Sequence, residues 1–267
     1  MDRTQVDPEK LEVLDLALDL AARAGAIQRE RYETPLDVRT KSASIDLVTE
    51  VDGECEALIV DGVQAARPGE AILAEEGGGR DHDESPWRWI IDPLDGTTNY
   101  AHGFPRFCVS IGVELSGERT VAAVYDPLLD ELFYAVRGAG AWLGERRLAV
   151  STTRELGQAL VATGFAYDVH QSRDDNLARF AQVLKAARGI RRDGSAALDL
   201  CYVAAGRLDA YWEFKLHAWD VAAGCLVVEE AGGRVSNASG GPVPASGEEI
   251  AASNSLLHAS LLAQMKT

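Results

Sequence analysis

The sequence predicts a layered α/β protein, and three observations lead to this prediction. Apolar residues recur at helical spacing near the amino terminus, short β-type segments follow, and the second half alternates helices with strands. The central strands lie too close together in sequence for helical crossovers, which favours antiparallel hairpins. Helices that occur in pairs between such strands indicate layered packing.

Two helices are predicted in the amino-terminal part. The first runs from Pro8 to about Arg31, because proline suits a first turn, and Thr49 caps the second, which Pro68-Gly69 ends. A polar loop at Thr40 to Ile45 lies between them. The apolar faces are formed by Leu11, Leu14, Leu18 and Ala22 in the first helix and by Val51, Cys55, Leu58, Ile59 and Val63 in the second.

Five short strands are predicted next, and helices and strands alternate after them. Turn residues such as Ser116-Gly117 and Asp126-Pro127 separate the strands. The predicted strands are Ala71–Ala74, Trp87–Ile91, Phe107–Leu115, Arg119–Tyr125, Glu131–Val136, Leu208–Phe214, Arg234–Ser236 and Ile250–Ala252. The later predicted helices are Asp174–Ala187, Ser195–Ala205, Ala218–Ala231 and Leu256–Met265.

The net charge of −16, from 26 basic and 42 acidic residues, excludes several kinds of partner. Such a surface repels nucleic acid and anionic lipid, so we expect neither nucleic acid nor membrane as a partner. It would also repel a phosphate ester. An acidic phosphatase therefore needs local cations, for which bound metal is the obvious source.

The cysteines and the amino terminus predict a cytoplasmic protein. Cys55, Cys108, Cys201 and Cys225 lie among apolar residues and form no C-x-x-C pair, as is typical of reduced, buried thiols. The amino-terminal residues contain no apolar signal region, and no run approaches the roughly 18 apolar residues of a membrane span.

The most informative segment is Trp89 to Tyr100, which reads W-I-I-D-P-L-D-G-T-T-N-Y. An apolar run delivers two carboxylates, Asp92 and Asp95, into a turn fixed by Pro93, and carboxylates at this spacing can share hard cations. The following G-T-T can point free N–H groups of a helix start toward a phosphate. Metal beside phosphate indicates metal-assisted phosphoryl chemistry.

Three other acidic clusters have ordinary structural explanations when each is taken alone. Asp46 and Asp52 lie near a helix start, Glu75 and Glu76 precede a glycine turn, and Asp220 opens an apolar helix. An aspartate at a helix start is usually a cap or a dipole partner. Taken together, however, acids that follow strands or open helices can converge on one point.

Six ordered motifs make the chain resemble the inositol monophosphatase family, the magnesium-dependent, lithium-sensitive sugar phosphatases. The resemblance spans about residues 10 to 260 and implies a bacterial-type inositol-1-monophosphatase with an αβαβα sandwich like that of fructose-1,6-bisphosphatase. The motifs are Lys41–Asp52, Ala74-Glu75-Glu76, Trp89–Tyr100, Gly194–Asp199, Gly206–Glu213 and Trp219–Gly233, the last reading W-D-V-A-A-G-C-L-V-V-E-E-A-G-G.

The resemblance implies a site for two to three Mg²⁺ ions. By this resemblance Glu75, Asp92 and the carbonyl of Leu94 hold the first ion, and Asp92, Asp95 and Asp220 hold the second. A water on the first ion is the implied nucleophile, which Glu75 and Thr97 orient and deprotonate. Asp52 supports them, and a water bound to Asp220 protonates the leaving alkoxide. Inhibition by Li⁺ is also implied.

The resemblance also implies how a substrate is bound. The N–H groups of Gly96 and Thr97 match groups that hold phosphate. Asp95, Glu213 and the N–H of Ala196 match groups that bind ring hydroxyls. Arg191 matches an arginine near the substrate, although Arg191-Arg192 could equally be a solvated pair.

The function we predict is the hydrolysis of a polyol phosphate, myo-inositol 1-phosphate first, because T-N-Y after Asp95-Gly96-Thr97 and Glu213 favour that branch. One alternative is a broader sugar phosphatase that also cleaves fructose 1,6-bisphosphate. Another, of a different class, is a regulatory protein that binds the transcription machinery. We expect one domain over residues 1–267, with an α+β half to about residue 150 and an α/β half from about 151, and a homodimer by resemblance.

Overall fold

The computed structural model describes residues 1–80 and 85–266, and its elements form five stacked layers. The helices are α1 (Pro8–Arg31), α2 (Glu50–Ala66), α3 (Thr97–Ala101), α4 (Leu177–Ala186), α5 (Ala196–Ala204), α6 (Ala218–Glu230) and α7 (His258–Gln264). The first strands are β1 (Val38–Thr40), β2 (Leu47–Thr49), β3 (Ala71–Ala74), β4 (Trp87–Asp95), β5 (Cys108–Leu115), β6 (Glu118–Asp126) and β7 (Glu131–Val136). The remaining strands are β8 (Gly140–Leu143), β9 (Arg146–Arg147), β10 (Leu160–Thr163), β11 (Gly189–Arg191), β12 (Ala210–Phe214), β13 (Arg234–Ser236) and β14 (Glu249–Ser253).

Two sheets alternate with three helical layers. A seven-stranded sheet has the order β3-β4-β5-β6-β7-β8-β9, and a five-stranded sheet has the order β11-β10-β12-β14-β13. Helices α1 and α2 cover the outer face of the larger sheet, and α5 and α6 pack between the sheets. Helices α4 and α7 cover the far face of the smaller sheet. The predicted αβαβα fold is therefore confirmed.

Strand alternation decides which layer each side chain enters. On β5, Val109 and Ile111 face the core with α1 and α2, whereas Cys108 faces α5 and α6. On β12, Tyr211 faces the inner helices and Trp212 faces the outer ones. This period of two is the consequence of extended backbone geometry, and it makes every buried strand serve two cores.

Several predicted elements are confirmed to the residue, whereas the prediction of antiparallel neighbours throughout is wrong at one place. Helix α1 has the predicted bounds, and Thr49 caps α2 in a capping box with Asp52. Strand β3, however, pairs with β4 in parallel, with Ala71 opposite Arg88 and Ala74 opposite Ile91. Strands β10 and β11, which are four and three residues long, were not predicted from the sequence.

The predicted state of the cysteines is also confirmed: all four thiols are free and buried. Within residues 1–80 and 85–266, none of the helices combines the length and the apolar character that a membrane crossing requires. The predicted single domain over residues 1–267 includes residues 81–84 and 267, which lie outside the described residues.

The contact between α5 and α6 leads to a stability prediction. A Cβ added at Gly224 of α6 would lie 2.6 Å from two side-chain carbons of Leu200. Gly224→Ala should lower the free energy of unfolding by about 1–3 kcal/mol, because overpacking pushes the two helices apart. Gly53→Ala in α2 is the control, since a Cβ there meets nothing within 4 Å, and it should raise the free energy of unfolding by about 0.5–1 kcal/mol. Chemical denaturation measures both free energies of unfolding. A Gly224→Ala protein as stable as wild type would contradict the close contact between Gly224 and Leu200.

A buried histidine leads to a pH prediction. His258 is 1% exposed, with Ser236 Oγ 2.8 Å from Nε2 and Ser253 Oγ 3.0 Å from Nδ1. Burial lowers the pKa of His258 from 6.5 to about 4. The unfolded chain then binds the proton more tightly, so the stability contributed by neutral His258 is present above pH 6.5 and is lost as the pH falls toward 4.

The variant His258→Gln should therefore flatten the dependence of the unfolding free energy on pH in that window, because glutamine keeps the hydrogen bonds and cannot be protonated. Urea denaturation at a series of pH values measures the slope. The exposed His170→Gln should leave the slope as it is. If the slope is the same in wild type and His258→Gln, then His258 does not contribute to the pH dependence of the unfolding free energy.

Candidate active site

Nearly all of the predicted site residues surround one cavity of about 430 Å³ at one end of the layers. The cavity lies where β4 ends and where α3, α5 and α6 begin. Of the predicted residues, it is lined by Glu75, Asp92, Leu94, Asp95, Gly96, Thr97, Ala196, Glu213 and Asp220. Asp52 lies behind this wall and contacts it through Thr97.

A bulge at the end of β4 presents the first group of acids. Asp92 pairs with Ser110 and Asp95 pairs with Cys108, so Pro93 and Leu94 together lie opposite one residue of β5. The N–H of Leu94 donates to Asp92 Oδ1 at 3.0 Å, which fixes the carboxylate against its own turn. The bulge thus directs two carboxylates and a carbonyl toward the cavity.

The start of α5 holds Asp95 from the other side of the cavity. Ser195 Oγ and the N–H of Ala197 donate to Asp95 Oδ2, each at 2.7 Å, and the N–H of Ala196 donates to Oδ1 at 3.3 Å. Free N–H groups at a helix start favour a negative charge. Ala196 N–H, which we predicted to bind a substrate hydroxyl, therefore has an internal acceptor in this structure.

Gly96 and Thr97 form the start of the short helix α3. Gly96 has φ of +100°, and a Cβ there would lie 2.8 Å from the carbonyl oxygen of Arg106, so only glycine fits. The Thr97 hydroxyl lies 2.8 Å from Asp52 Oδ1 and 3.0 Å from the Leu94 carbonyl. Asp52 Oδ2 also accepts from the N–H and hydroxyl of Thr49, so the cap of α2 and the turn of α3 are joined.

The other two acids come from more distant parts of the chain. Glu75 follows β3, and its carboxylate accepts from Lys41 Nζ at 2.8 Å. Asp220 is the third residue of α6, where Oδ2 accepts from the N–H of His217 at 2.6 Å in a capping box. The His217 ring stacks on Trp219 at 4.7 Å and lines the same cavity.

Burial and mutual repulsion raise the pKa values of this group. Burial raises the pKa of Glu75 to about 7 and that of Asp95 to about 6, and it raises the pKa of Asp92 well above its ordinary value. The charges of neighbouring acids, including Asp220, add to each of these shifts. A cation that entered the cavity would relieve this repulsion.

The chemistry of the donors fits Mg²⁺, because carboxylates and a backbone carbonyl are the oxygen ligands that a hard cation takes. In the described part of the chain, no three Asp, Glu, His or Cys side chains approach closely enough to enclose an ion. Glu75 is instead engaged by Lys41. The carboxylates of Glu75, Asp92, Asp95 and Asp220 and the carbonyl of Leu94 are the groups that would hold such a cation in this cavity.

The cavity lining also includes a further carboxylate, that of Glu213, and aromatic side chains. Glu213 on β12 accepts from the Tyr211 hydroxyl at 2.6 Å, and burial raises the pKa of Glu213 to about 7. Gly164 makes room for it, since a Cβ there would lie 2.1 Å from the carboxylate oxygens. Phe165 and Tyr167 are two of these aromatic side chains, and the sequence around them had no motif from which to predict their position.

The arginine that lines the cavity differs from the one that was predicted. Arg191 does not line the cavity: it is exposed on the edge strand β11, with Nη1 3.1 Å from the Ile190 carbonyl, whereas Arg192 lines the cavity. Neighbouring residues of an extended chain point to opposite sides, so a shift of one residue exchanges them. Trp219 is half-buried and lines the cavity, whereas Trp89 and Trp212 are fully buried.

The chain is similar to known proteins over nearly its whole length. The model of the inositol monophosphatase family matches residues 9–267. An inositol-1-monophosphatase of Synechocystis sp. is 43% identical over 93% of this chain and 86% of its own length. The Nus factor SuhB of Escherichia coli is 42% identical over 95% of this chain and 96% of its own. The structure of an inositol monophosphatase from Anabaena (Nostoc) sp. superimposes with a TM-score of 0.87 at 40% identity, over 96% of this chain and 95% of that one. The chain therefore belongs to the inositol monophosphatase family.

Proposed function

We propose that this protein hydrolyses a polyol phosphate with the help of Mg²⁺, and that myo-inositol 1-phosphate is a substrate. Membership of the family supports phosphatase activity. The single observation that carries the proposal is one cavity lined by Glu75, Asp92, Asp95 and Asp220, by the start of α3 and by Glu213. Such a cavity offers oxygen ligands, N–H donors for phosphate and an acceptor for hydroxyl groups.

Mg²⁺, when bound, would neutralise the acidic wall, activate water and withdraw charge from the phosphate. The chain itself supplies the N–H groups of Gly96 and Thr97, which start α3 and can donate to phosphate oxygens. Lys41, Arg192 and Lys215 also line the cavity and add positive charge. These groups are few beside the acids, so we infer that the phosphate dianion enters after the cation.

Thr97 and Glu75 are the groups that we propose to orient the attacking water. When the Thr97 hydroxyl donates a hydrogen bond to Asp52, the lone pairs of its oxygen remain available to accept a hydrogen bond from water. The Glu75 carboxylate lines the same cavity and can accept the proton of that water. Thr49 holds Asp52 by two hydrogen bonds, and this support makes the direction of the Thr97 hydroxyl definite.

Glu213 and Asp95 support the choice of a polyol as leaving group. Both carboxylates face the cavity on the side of α5 and β12, where they can accept hydrogen bonds from ring hydroxyls. A site of this kind discriminates strongly, because a substrate without those hydroxyls leaves buried acceptors unpaired. We assign protonation of the leaving alkoxide to a water held by Asp220.

Two other candidates follow from the relatives and from the family. Fructose 1,6-bisphosphate is a second substrate candidate, because it also presents a polyol phosphate. The name of the Escherichia coli relative, Nus factor SuhB, favours a protein-binding role in transcription as a second function. We also propose a homodimer with no nucleic acid or membrane bound directly, a cytoplasmic location and sensitivity to Li⁺, as the resemblance and the acidic composition imply.

A substrate panel tests these candidates. Release of inorganic phosphate should require Mg²⁺. It should be faster with myo-inositol 1-phosphate than with fructose 1,6-bisphosphate, 3′-phosphoadenosine 5′-phosphate or histidinol phosphate. Preference for fructose 1,6-bisphosphate would support the first alternative. Absence of phosphate release from every substrate, with a folded protein that binds Mg²⁺, would contradict the enzyme and leave the protein-binding candidate.

The central acid of the bulge gives the most direct test of the site. Asp92→Asn should lower kcat by about 10²–10⁴-fold, since a ligand charge on a catalytic metal contributes several kcal/mol. Asparagine keeps the acceptor for the Leu94 N–H, so the turn should persist. Asp209→Asn is a matched control, because Asp209 is a buried carboxylate that does not line the cavity. Near-normal turnover in Asp92→Asn would contradict the assignment of Asp92.

In the absence of Mg²⁺, Asp92→Asn should change stability in the opposite sense to activity. Mg²⁺ at a hundred times its dissociation constant should raise the wild-type free energy of unfolding by about 2.7 kcal/mol. Without the ion, Asp92→Asn should be more stable than wild type, since one of the repelling buried carboxylates is gone, and Mg²⁺ should stabilise it less. Thermal unfolding with EDTA and with Mg²⁺ measures this. A wild-type midpoint that Mg²⁺ does not move would contradict a metal site.

A further inference from the structure

Gln28 is a buried glutamine that contacts the β4 bulge, and it takes no direct part in the proposed reaction. Gln28 lies on α1, is fully buried and does not line the cavity. Its Nε2 donates to the carbonyl of Pro93 at 2.7 Å and lies 3.4 Å from the carbonyl of Cys108. These carbonyls belong to the two strands that meet at the bulge, β4 and β5. A helix on the outer face of the sheet thus reaches the turn that carries the acids.

The contacts occur where the ladder of hydrogen bonds between the strands is interrupted. The register shifts between Asp92 and Asp95, and the extra residues of a bulge lack a regular partner. Pro93 has no N–H, so the turn cannot recover a donor from that residue. The Gln28 amide supplies a donor to Pro93 on one strand and to Cys108 on the other, and it closes the bulge from behind.

Gln28 also connects the bulge to the helix that follows it. The Tyr100 hydroxyl of α3 donates to the backbone carbonyl of Gln28 at 2.8 Å. The same residue of α1 therefore holds the turn through its side chain and α3 through its main chain. Between these two anchors lie the carbonyl of Leu94 and the carboxylate of Asp95, both of which line the cavity.

Stability alone does not favour a glutamine at this position. Its Oε1 is buried and has no hydrogen-bond partner among residues 1–80 and 85–266. A buried acceptor without a partner is unfavourable, and an apolar side chain of similar length would avoid that cost. Both nearby main-chain groups are acceptors, so the amide must point its nitrogen toward them and leave the oxygen unpaired.

We propose that Gln28 is a positioning residue that holds the β4 bulge in the shape needed to bind Mg²⁺. The inference rests on the proposed function, since it concerns the same acids. Mg²⁺ requires a nearly octahedral set of oxygens at short distances, whereas Ca²⁺ accepts irregular sets at longer ones. Loss of the Gln28 contacts should therefore weaken Mg²⁺ binding more than Ca²⁺ binding. A residue that only stabilised the fold would not change this ratio.

The test compares Gln28→Met with Leu20→Met, a control at a buried position of the same helix away from the bulge. Titration calorimetry with Mg²⁺ and with Ca²⁺ gives the affinities. Gln28→Met should lose about tenfold in Mg²⁺ affinity, as is common when a group that orients a metal ligand is removed. Its Ca²⁺ affinity should change less, and Leu20→Met should match wild type in both. In assays the Mg²⁺ concentration for half-maximal rate should rise accordingly.

Equal Mg²⁺ affinity in Gln28→Met and wild type, or equal losses for Mg²⁺ and Ca²⁺, would overturn the proposal. Wild-type protein that binds no Mg²⁺ would instead overturn the proposed function itself. If Gln28→Met does not fold, the wild-type protein still gives an answer. The side-chain amide resonance of Gln28 should shift as Mg²⁺ is added, because the Pro93 carbonyl that it contacts belongs to the bulge. A resonance that stays in place through saturation would overturn the positioning role.

Discussion

The repulsion among four carboxylates is the constraint on which the rest of the structure depends. Glu75, Asp92, Asp95 and Asp220 come from three separate parts of the chain and surround one cavity, where burial and mutual repulsion raise the pKa values of the first three. Such a cluster would separate if the chain were free to move. Each acid is therefore held by a donor that the fold supplies, and these donors account for much of the local architecture.

The donors are mostly helix starts and turns. Asp95 accepts from the first residues of α5, and Asp220 belongs to the capping box of α6. Asp92 accepts from the N–H of its own turn, and Lys41 pairs with Glu75. Since α5 and α6 form the middle layer, the two sheets fix their positions, and the site gains rigidity from the most buried part of the molecule.

Stability and function oppose each other at this end of the molecule. The repulsion among the buried acids opposes folding when no cation is bound. Behind the acids, the side-chain oxygen of Gln28 has no hydrogen-bond partner among the described residues. Both features would be avoided in a protein that only had to be stable. Both are understandable if the same residues must receive Mg²⁺ in a definite arrangement, since binding of the ion would stabilise the folded state.

The sequence by itself determined the features that depend on neighbouring residues. The cap at Thr49, the bounds of α1 and the turn from Asp92 to Thr97 are local, since hydrogen bonds over a few residues specify them. Ordered motifs also indicated which acids would meet. The tertiary structure decided what depends on register and on distant contacts. It placed Arg192 rather than Arg191 in the cavity, paired β3 with β4 in parallel, and brought Gln28 to the bulge across 65 residues of sequence. No local pattern encodes such contacts, because they arise only when the layers pack.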